Sequence, residues 1–386
     1  MNAFVVIGAN FGDEGKGLVT DFLCRHERTQ LVVRFTGGAQ AGHTVQEPGG
    51  RRVIFHHFGS GSLLGVPTYL SRFFVTNPFA WAKERAALGF QPTLFVDLDA
   101  HVTTPYDMLV NQLVEETRAE GRHGSCGVGI NETIERNTAS PYRLHVRDLL
   151  GDGLGSKLDA IRCEWVPTRL TQLVPGYAES LGKDERIMSA SLFANFRRVC
   201  QAFATSSFLC SGLPPDPYDV VFEGAQGLLL DEGHRFFPYV TRGRTGLANV
   251  ADILNGRRVD DLHVLYVTRA YLTRHGRGPF PTEDLSLSYP DETNGFNSYQ
   301  EGLRFGRLDL PLMCEAIGAD SKRLMEIQAS QIGTGLAVTC LDQVPDPSGT
   351  LQMFSRTAGL PPVVVQSFGP TRDHVRTIAD DLRPIP

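Results

Sequence analysis

The sequence predicts an α/β fold, in which one large domain is built around a central, mainly parallel sheet flanked by helices. Short apolar runs recur along the 386 residues without polar alternation, as in strands that are buried on both faces of a sheet. Stretches of helical length separate these runs, which favours strand–helix–strand units. Glycine-rich, polar segments follow several of the runs, at the strand ends where ligands bind in such sheets.

The predicted elements follow from the position of each run. Strands are predicted at 3–8, 31–35, 73–76, 93–97, 219–224, 262–268, 335–342 and 361–369. Helices are predicted near Lys16 and at 79–89, 105–120, 189–205, 247–256 and 309–318. Inserted loops are predicted at 42–66, 121–131 and 276–306. We expect residues 1–386 to form a single domain, within which about 105–205 can make a helical subdomain.

Composition excludes several classes of protein. The chain is 41% hydrophobic and 21% charged, with a net charge of −6, which argues against a general nucleic-acid binder. Its seven cysteines are scattered without a C-x-x-C pair, which favours free thiols over a disulfide framework or a zinc site. No apolar run approaches the ~20 residues of a membrane span. We therefore expect a cytoplasmic protein without a nucleic-acid or membrane partner.

The stretch FGDEGKG, residues 11–17, predicts a phosphate-binding loop between the first strand and the first helix. Backbone N–H groups and the Lys16 ammonium can hold phosphates there, although a plain strand–helix turn is the alternative. The loop is neither a Walker loop nor a dinucleotide turn. Asp13 next to a phosphate is costly unless a cation lies between them or the carboxylate takes a proton from the substrate. Asp13 is thus predicted to bind Mg²⁺, to act as a general base, or to do both.

A second loop supplies Gly42, His43 and Thr44 after the second strand. A histidine between small residues can approach a transferring phosphoryl group or protonate a leaving oxygen. A lone loop histidine is more commonly structural or solvated. The combination of Asp13 and His43 at adjacent strand ends favours a catalytic interpretation.

Seven motifs then identify a family resemblance. GANFGDEGKG, VVRFTGGAQAGHTV, VVFEGAQGLLLDEGH, FPYVT, AYLTRHGRGPFPTE, TCLD and SFGPTR follow one another in the order seen in adenylosuccinate synthetases. The resemblance runs from residue 4 to about residue 376. It implies a C–N bond-forming ligase that phosphorylates the C6 oxygen of a 6-oxopurine nucleotide with an NTP. L-Aspartate then displaces the phosphate.

The resemblance also implies roles for individual residues. Asp13 would take the N1 proton of the purine and contact Mg²⁺, His43 would stabilise the phosphoryl group, and the Gly42 carbonyl would be a metal ligand. The NTP phosphates would contact Gly12, Glu14, Gly15, Lys16, Gly17, Gly42 and Thr44. The purine nucleoside monophosphate would contact Asp13, Gln40, Ser125, Cys126, Arg136, Gln226 and Thr241.

Three further implications concern the remaining ligands and the assembly. Arg136 matches an arginine that reaches into the neighbouring subunit, which implies a homodimer. Arg304 would bind the aspartate carboxylate. The NTP base would contact Asp342, Ser367, Gly369 and Pro370.

The chain departs from the family pattern around these ligands. Ala39 and Gln40 replace a His-Asn pair, GSCGVG replaces paired threonines, the aspartate loop has fewer arginines, and Cys340 replaces a lysine beside the NTP base. Losing that lysine favours ATP or dATP over GTP as donor. A phage branch of the family with a similar loop pattern joins aspartate to dGMP, on the route to diaminopurine DNA. We expect (d)GMP as acceptor, which gives 2-amino-(deoxy)adenylosuccinate.

Three other functions remain as alternatives. The first is an adenylosuccinate synthetase that uses IMP and GTP. The second is a catalytically inactive nucleotide-binding regulator, and the third is a P-loop kinase or GTPase. The retained Asp13, Lys16 and His43 argue against the regulator, and no Ser or Thr follows Lys16 as a kinase loop requires.

Overall fold

The computed structural model describes residues 1–118, 125–177, 185–214, 219–291, 294 and 302–378. Its strands are β1 (Ala3–Gly8), β2 (Leu31–Arg34), β3 (His43–Gln46), β4 (Arg52–Phe55), β5 (Thr68–Leu70), β6 (Leu94–Asp97), β7 (Phe208–Cys210), β8 (Val220–Glu223), β9 (Val259–Arg269), β10 (Leu272–His275), β11 (Leu303–Gly306), β12 (Ala329–Thr339), β13 (Val363–Ser367) and β14 (Val375–Thr377).

Ten of these strands form the central sheet, in the order β14-β13-β12-β9-β1-β8-β2-β5-β6-β7. All neighbours are parallel except β13 and β14, which are antiparallel. Two antiparallel hairpins, β3–β4 and β10–β11, stand apart from it. The predicted α/β fold with a mainly parallel sheet is confirmed.

The helices are α1 (Lys16–His26), α2 (Pro78–Leu88), α3 (Pro105–Arg118), α4 (Ile130–Thr138), α5 (Leu154–Ala160), α6 (Val166–Leu173), α7 (Glu185–Met188), α8 (Ala190–Thr205), α9 (Leu247–Leu254), α10 (Leu310–Asp320) and α11 (Pro347–Arg356). Side-chain caps explain several starts: Asn77, Ser189, Asp309 and Asp346 accept an amide hydrogen at the first turn of α2, α8, α10 and α11. Within the described part, none of the helices has the length and apolar character needed to cross a membrane.

Both faces of the sheet are buried, which is why its strands have no polar alternation. In β1, Val5 and Ile7 pack into one core cluster, whereas Phe4 and Val6 pack into a second cluster on the other face together with Val19 of α1. A third cluster joins helices α2, α3 and α5 to α8 to the β5–β6 side of the sheet. Most of the helices of 105–205 therefore share a core with these strands.

One predicted strand is wrong. Residues 73–76 are apolar because Phe74 fills the third cluster, but Val75 makes only an isolated bridge to Gly38. The strand that pairs with β2 and β6 is Thr68–Leu70. The run at 73–76 is apolar because its side chains are buried, and not because it pairs as a strand of the sheet.

Candidate active site

A cavity of about 1220 Å³ opens where the loops that follow β1, β2, β8, β9 and β12 meet. The loops that follow these parallel strands converge on one edge of the sheet, as expected for the ligand site of a parallel sheet. Most of the residues predicted to bind ligands line it: Gly12, Asp13, Gly15, Lys16, Gly17, Gln40, Gly42, His43, Thr44, Ser125, Cys126, Gln226, Thr241, Asp342, Gly369 and Pro370. The fold therefore gathers segments that are distant in sequence.

The loop between β1 and α1 is held in shape by Glu14. One carboxylate oxygen accepts the amide hydrogens of Asn10 and Gly12, at 3.1 and 2.9 Å, and the other lies 2.5 Å from Nζ of Lys16. The Glu14 side chain is buried and does not line the cavity, so the Glu14 carboxylate is not placed to contact NTP phosphates. Its carboxylate braces the loop from inside, because buried amides need acceptors.

Asp13 sits in a left-handed backbone conformation, with φ of 60°, and its side chain is 27% exposed. Its carbonyl accepts a hydrogen bond from Nε of Arg269, which holds the turn in place. The carboxylate oxygen Oδ2 lies 3.6 Å from Nε2 of His275. His275 also lines the cavity; it lies in the AYLTRHGRGPFPTE motif, but no role was predicted for it from the sequence.

His43 is oriented by Glu223 at the end of β8. Its Nδ1 lies 2.7 Å from Oε1 of Glu223, while Nε2 is buried without a hydrogen-bond partner in the described part of the chain. Burial, together with nearby Arg34, lowers the pKa of His43 to about 4. The pair therefore rests as a carboxylate and a neutral imidazole with one ring nitrogen available. Glu223 lies in the EGAQG motif but was not singled out from the sequence.

The Glu223 carboxylate is held ionised by its surroundings. Burial acts to raise the pKa of Glu223, but His43, Arg34 and the Ser60 hydroxyl outweigh it and lower that pKa to about 2. Ser60 donates to Glu223 from both its amide and its hydroxyl, and Nε of Arg34 lies 3.9 Å away. This network is fully inside the protein, so His43 cannot swing away without leaving a buried charge short of partners.

Close packing brings this histidine to the phosphate loop. A Cβ at Gly17 would lie 3.2 Å from Cβ of His43 and 3.0 Å from the carbonyl oxygen of Thr44. Any side chain at position 17 would therefore push the β3 hairpin away from the start of α1. The glycine after Lys16 thus has a packing reason in addition to its place in a phosphate loop.

One side of the cavity contains an unpaired amide. Both side-chain atoms of Gln40 are buried without a hydrogen-bond partner among the described residues. The Ser125 hydroxyl, in contrast, has a partner: its Oγ accepts a hydrogen bond from Asn111 at 2.8 Å. Burial raises the pKa of the Cys126 thiol to about 11, so it stays protonated at neutral pH. Gln226 has a left-handed backbone, with φ of 62°, as it passes over the loop.

At the other end, Asp342 and Gln343 follow β12 and line the cavity. The hydroxyl of Tyr271 donates to Oε1 of Gln343, and its ring stacks on Tyr289 with centroids 3.8 Å apart. Ser367 is buried and does not line the cavity; its hydroxyl donates to the carbonyl of Gly369 at 2.8 Å. The predicted base contact of Ser367 is therefore corrected to support of the wall from behind.

Arg136 does not have the predicted intersubunit role. Its guanidinium is completely buried and donates to both oxygens of Asp107, at 2.8 and 3.0 Å, and to the carbonyls of Val102 and Tyr142. An arginine with these four acceptors inside its own chain cannot reach into a neighbouring site. Arg136 therefore does not support the homodimer that the resemblance implies.

Arg304 is also placed differently from the prediction. Its guanidinium pairs with the carboxylate of Glu283, at 2.8 and 2.5 Å, and donates to the carbonyls of Gly276 and Gly278. Every nitrogen is occupied, and Arg304 does not line the cavity. The guanidinium therefore joins β11 to the loop after β10 instead of facing aspartate. Residues 298–301 of the predicted aspartate loop, SYQEGLRFGRLD (298–309), lie outside the described residues.

The donor set fits a magnesium ion that is shared with a ligand. No group of three or more His, Cys, Asp or Glu side chains converges in the described part of the chain, so there is no closed protein cage there. Mg²⁺ is usually held by one or two protein oxygens together with phosphates and water. Asp13 and Gly42, which both line the cavity, suit such a site.

Comparisons with known proteins agree with this arrangement. The adenylosuccinate synthetase family model matches residues 5–336. An adenylosuccinate synthetase of Anaeromyxobacter sp. (strain Fw109-5) is 34% identical over 295 residues, which are 72% of this chain and 64% of that protein. The relative from Bordetella avium (strain 197N) is 34% identical over 349 residues, covering 88% of this chain and 76% of the relative. The chain thus spans slightly less than two thirds of the Anaeromyxobacter protein.

Two solved structures share the fold. Fully ligated adenylosuccinate synthetase from Plasmodium falciparum superposes with a TM-score of 0.72 at 17% identity, over 98% of this chain and 100% of the other. Cyanophage S-2L succinoaminodeoxyadenylate synthetase (PurZ), bound to dGMP and to dATP as an energy donor, gives a TM-score of 0.64 at 18% identity, over 97% and 95% of the two chains. With the family match over most of its length, the chain belongs to the adenylosuccinate synthetase family.

Proposed function

We propose that the protein is a C–N ligase that joins L-aspartate to C6 of a 6-oxopurine nucleotide, driven by an NTP through a 6-phosphoryl intermediate. The observation that carries the proposal is the convergence of three groups on one cavity: the Asp13 carboxylate, the His43–Glu223 pair and the loop around Lys16. This set suits phosphoryl transfer to an oxygen that must first lose a proton to become nucleophilic. Positioning and electrostatics dominate such reactions.

Each group has a distinct task. The Asp13 carboxylate takes the N1 proton of the purine, which moves negative charge onto O6. O6 attacks the γ-phosphorus, the bond to the NDP oxygen breaks, and the amine of aspartate later attacks C6 and expels inorganic phosphate. Incoming phosphate charge favours the protonated imidazole, so His43 donates from Nε2 to the transferring group while Glu223 holds Nδ1.

Asp13 and the Gly42 carbonyl would hold Mg²⁺ in this proposal. The ion supplies charge neutralisation for the phosphates. Lys16 and the glycines around it hold the NTP phosphates through the ammonium and through backbone N–H groups. The protein's own contribution is a loop whose shape is held from inside by the Glu14 carboxylate.

For the acceptor and donor we propose (d)GMP with ATP or dATP. The unpaired Gln40 amide offers a donor and an acceptor where the family pattern has a different residue, and such a group can discriminate by hydrogen bonds to a purine edge. Cys340 stands in place of a lysine beside the NTP base. A protein of the same fold binds dGMP and dATP, which supports the choice of that pair.

A second candidate is supported by Asp342. Its exposed carboxylate lines the cavity and can only accept hydrogen bonds. Guanine presents two donors, N1–H and the 2-amino group, whereas adenine presents an acceptor at N1. Asp342 therefore favours GTP as donor, with IMP as the matching acceptor of an adenylosuccinate synthetase.

The deciding experiment is phosphate release with L-aspartate and Mg²⁺, in which IMP, GMP and dGMP are crossed with ATP, dATP and GTP. Turnover with dGMP or GMP and an adenine nucleotide would support the proposed pair, and turnover with IMP and GTP would support the second candidate. Phosphate release that does not need aspartate would indicate an NTP hydrolase such as a GTPase, and no release with any pair would fit a nucleotide-binding regulator or a kinase. Omission of aspartate is the matched control in every reaction.

The proposal also includes a homodimer in the cytoplasm. All seven cysteines are free thiols, which fits a reducing compartment. Light scattering on the purified chain, with and without nucleotide, measures the oligomeric state directly. A monomer under both conditions would contradict the dimer but not the chemistry.

A further inference from the structure

Arg269 lies at the end of β9 and holds three separate parts of the site. Its Nε donates to the carbonyl of Asp13 at 2.5 Å, its Nη1 donates to the hydroxyl of Tyr271 at 3.1 Å, and its Nη2 lies 3.0 Å from Oδ2 of Asp291. The Arg269 side chain is 11% exposed and lines the cavity. Because each of its three nitrogens has a partner, the planar guanidinium has a defined position in this chain.

The turn at Asp13 needs support of this kind. Asp13 has φ of 60°, in a loop in which Gly12 and Gly15 have φ of 89° and 93°. A left-handed conformation costs a residue with a side chain about 1 kcal/mol or more, so it persists only where the surroundings hold it. Arg269 contacts the backbone of Asp13 and not its carboxylate, so it fixes the direction in which that side chain leaves the turn.

A second side chain holds the next carbonyl of the loop. Thr339, the register partner of Arg269 on the neighbouring strand β12, donates to the carbonyl of Glu14 at 2.7 Å. Both peptide bonds are trans, so the N–H of each peptide unit points opposite to its carbonyl. The amides of Glu14 and Gly15 therefore point away from Arg269 and Thr339. In this direction they can donate to an anion at the loop.

A direct contact between Arg269 and a phosphate is the alternative, since this side chain lines the cavity. Two observations favour a role through the backbone instead. Each nitrogen of the guanidinium already has a partner within the chain. The Asp291 carboxylate, whose side chain is only 10% exposed, supplies the counter-charge at 3.0 Å. A guanidinium that is neutralised in this way attracts a further anion less than an unpaired one does.

We propose that Arg269 is a positioning residue for phosphoryl transfer. It holds the Asp13 turn so that the carboxylate is directed at the purine, while the amides of Glu14 and Gly15 are directed at the NTP phosphates. The inference rests on the proposed function, because it takes Asp13 as the base. A displacement of a reacting group by about 1 Å can lower a rate by about 100-fold, so the loss of this contact should be visible in turnover.

The test is a double-mutant cycle between Arg269→Gln and Asp13→Asn, measured as kcat at saturating substrates. Arg269→Gln alone should lower kcat by about 30-fold, because the carboxylate is displaced. In the Asp13→Asn background the same change should lower kcat by less than about threefold, because the carboxylate that Arg269 positions is already absent. An arginine with a merely structural role would lower kcat by the same factor in both backgrounds, and that result would overturn the positioning role.

Arg162→Gln is the matched control. Arg162 is 18% exposed, donates from Nε to Asp159 at 2.8 Å and lies 4.5 Å from the ring centroid of Phe193, so it resembles Arg269 in burial and in partners. It does not line the cavity, so Arg162→Gln should leave kcat within about twofold in both backgrounds. Thermal melts of all variants show which are folded, and Arg269→Lys takes the place of Arg269→Gln in the cycle if the latter is not.

A binding measurement separates this inference from the proposed function. Calorimetry with Mg²⁺ and the β,γ-imido analogues of ATP and GTP reports a Kd without turnover. Arg269→Gln and Arg269→Lys should both weaken binding of the tighter analogue by about fivefold, because one ammonium cannot replace a guanidinium that holds Asp13, Tyr271 and Asp291 together.

The outcomes of the binding measurement are distinct. If Arg269→Lys binds as tightly as the parent and Arg269→Gln does not, the arginine contacts a phosphate directly and the positioning role is wrong. An unchanged Kd in both variants, or no binding by the parent, would also overturn it. If the parent binds an analogue, both variants lose affinity, and no nucleotide pair gives phosphate release, the proposed function fails while the hold of Arg269 on the loop stands.

Discussion

Nδ1 of His43 lies 2.7 Å from Oε1 of Glu223, although 180 residues separate them in the sequence. The contact fixes both the ring orientation and the ring nitrogen that faces the cavity. Since Ser60 and Arg34 hold the same carboxylate, the histidine depends on a buried network and not on one bond.

Replacing Glu223 with glutamine should lower turnover by about 100-fold, because an amide cannot hold Nδ1–H with a full charge. The variant should also unfold at a lower temperature, since Arg34 would be left buried without its partner. Phosphate release and thermal melts measure the two effects separately. Ser60→Ala, which removes one hydrogen bond to the same carboxylate, should cost only about 1 kcal/mol. Near-normal turnover in a folded Glu223→Gln protein would contradict the orienting role.

Asp13→Asn should lower turnover by at least about 100-fold while leaving the melting temperature nearly unchanged. Asparagine tolerates the left-handed backbone at φ of 60° as well as aspartate does, so the change removes charge without adding strain. Initial rates of phosphate release give the result. Asp13→Ala is the matched comparison, because it adds backbone strain to the same loss of charge. Turnover within tenfold of the parent in Asp13→Asn would rule out the proposed base.

Arg136→Met should destabilise the protein by about 3–5 kcal/mol, because it leaves the buried Asp107 carboxylate without its partner. Urea unfolding measures the loss. Arg235→Ala is the control: it breaks an ion pair with Glu315 in which both side chains are more than half exposed, and should cost less than about 1 kcal/mol. A small effect of Arg136→Met would reopen an intersubunit role for that arginine.

His101 predicts a pH dependence of stability. Burial, helped by His145, Arg136 and Arg143 and opposed by Asp99, lowers the pKa of His101 to about 4 from 6.5. Between those values the unfolded chain binds a proton that the folded chain does not, so stability falls as the pH falls. From roughly pH 7.5 to pH 5, the unaltered protein should lose about 2 kcal/mol more than His101→Gln. Urea unfolding at both pH values provides the comparison.

The comparison between variants is needed because other groups act in the opposite sense. Burial raises the pKa of Asp21 and of Asp320 to about 6, so these carboxyls favour the folded state as the pH falls. Both are present in the two proteins and cancel in the difference. Equal pH dependence in His101→Gln and its parent would show that His101 titrates alike in the folded and unfolded chains.

The sequence predicted the sheet and the cavity well because both follow from local rules. Runs buried on both faces identify parallel strands, and glycine-rich segments after them mark one edge of the sheet. Asp13, Lys16 and His43 were found because each stands in such a segment. The strand at 73–76 failed because a buried Phe74 looks the same in the sequence whether it lies in a strand or in a turn.

Charged side chains were harder to place, since their partners are remote in the sequence. Nothing near Arg136 indicates that Asp107 takes its guanidinium, and nothing near Arg304 indicates Glu283. Glu14 looked like a phosphate contact because it lies in the loop, yet its carboxylate turns inward to the amides of that loop. Which carboxylate an arginine pairs with depends on the assembled fold. The spacing of residues in the sequence therefore cannot show whether a charged side chain binds a ligand or a partner within the chain.

The strand order has a consequence for how the protein is made. In the sheet, β8 lies between β1 and β2, although it comes almost 190 residues after β2. A nascent chain that has emerged from the ribosome only as far as α8 has both Asp13 and His43, but the position between β1 and β2 in the sheet is still empty. The β1 and β2 sides of the sheet can be joined only after residues 220–223 have been synthesised. The cavity therefore forms only when synthesis has passed the middle of the chain. Folding of this protein is thereby tied to long-range contacts, which form slowly.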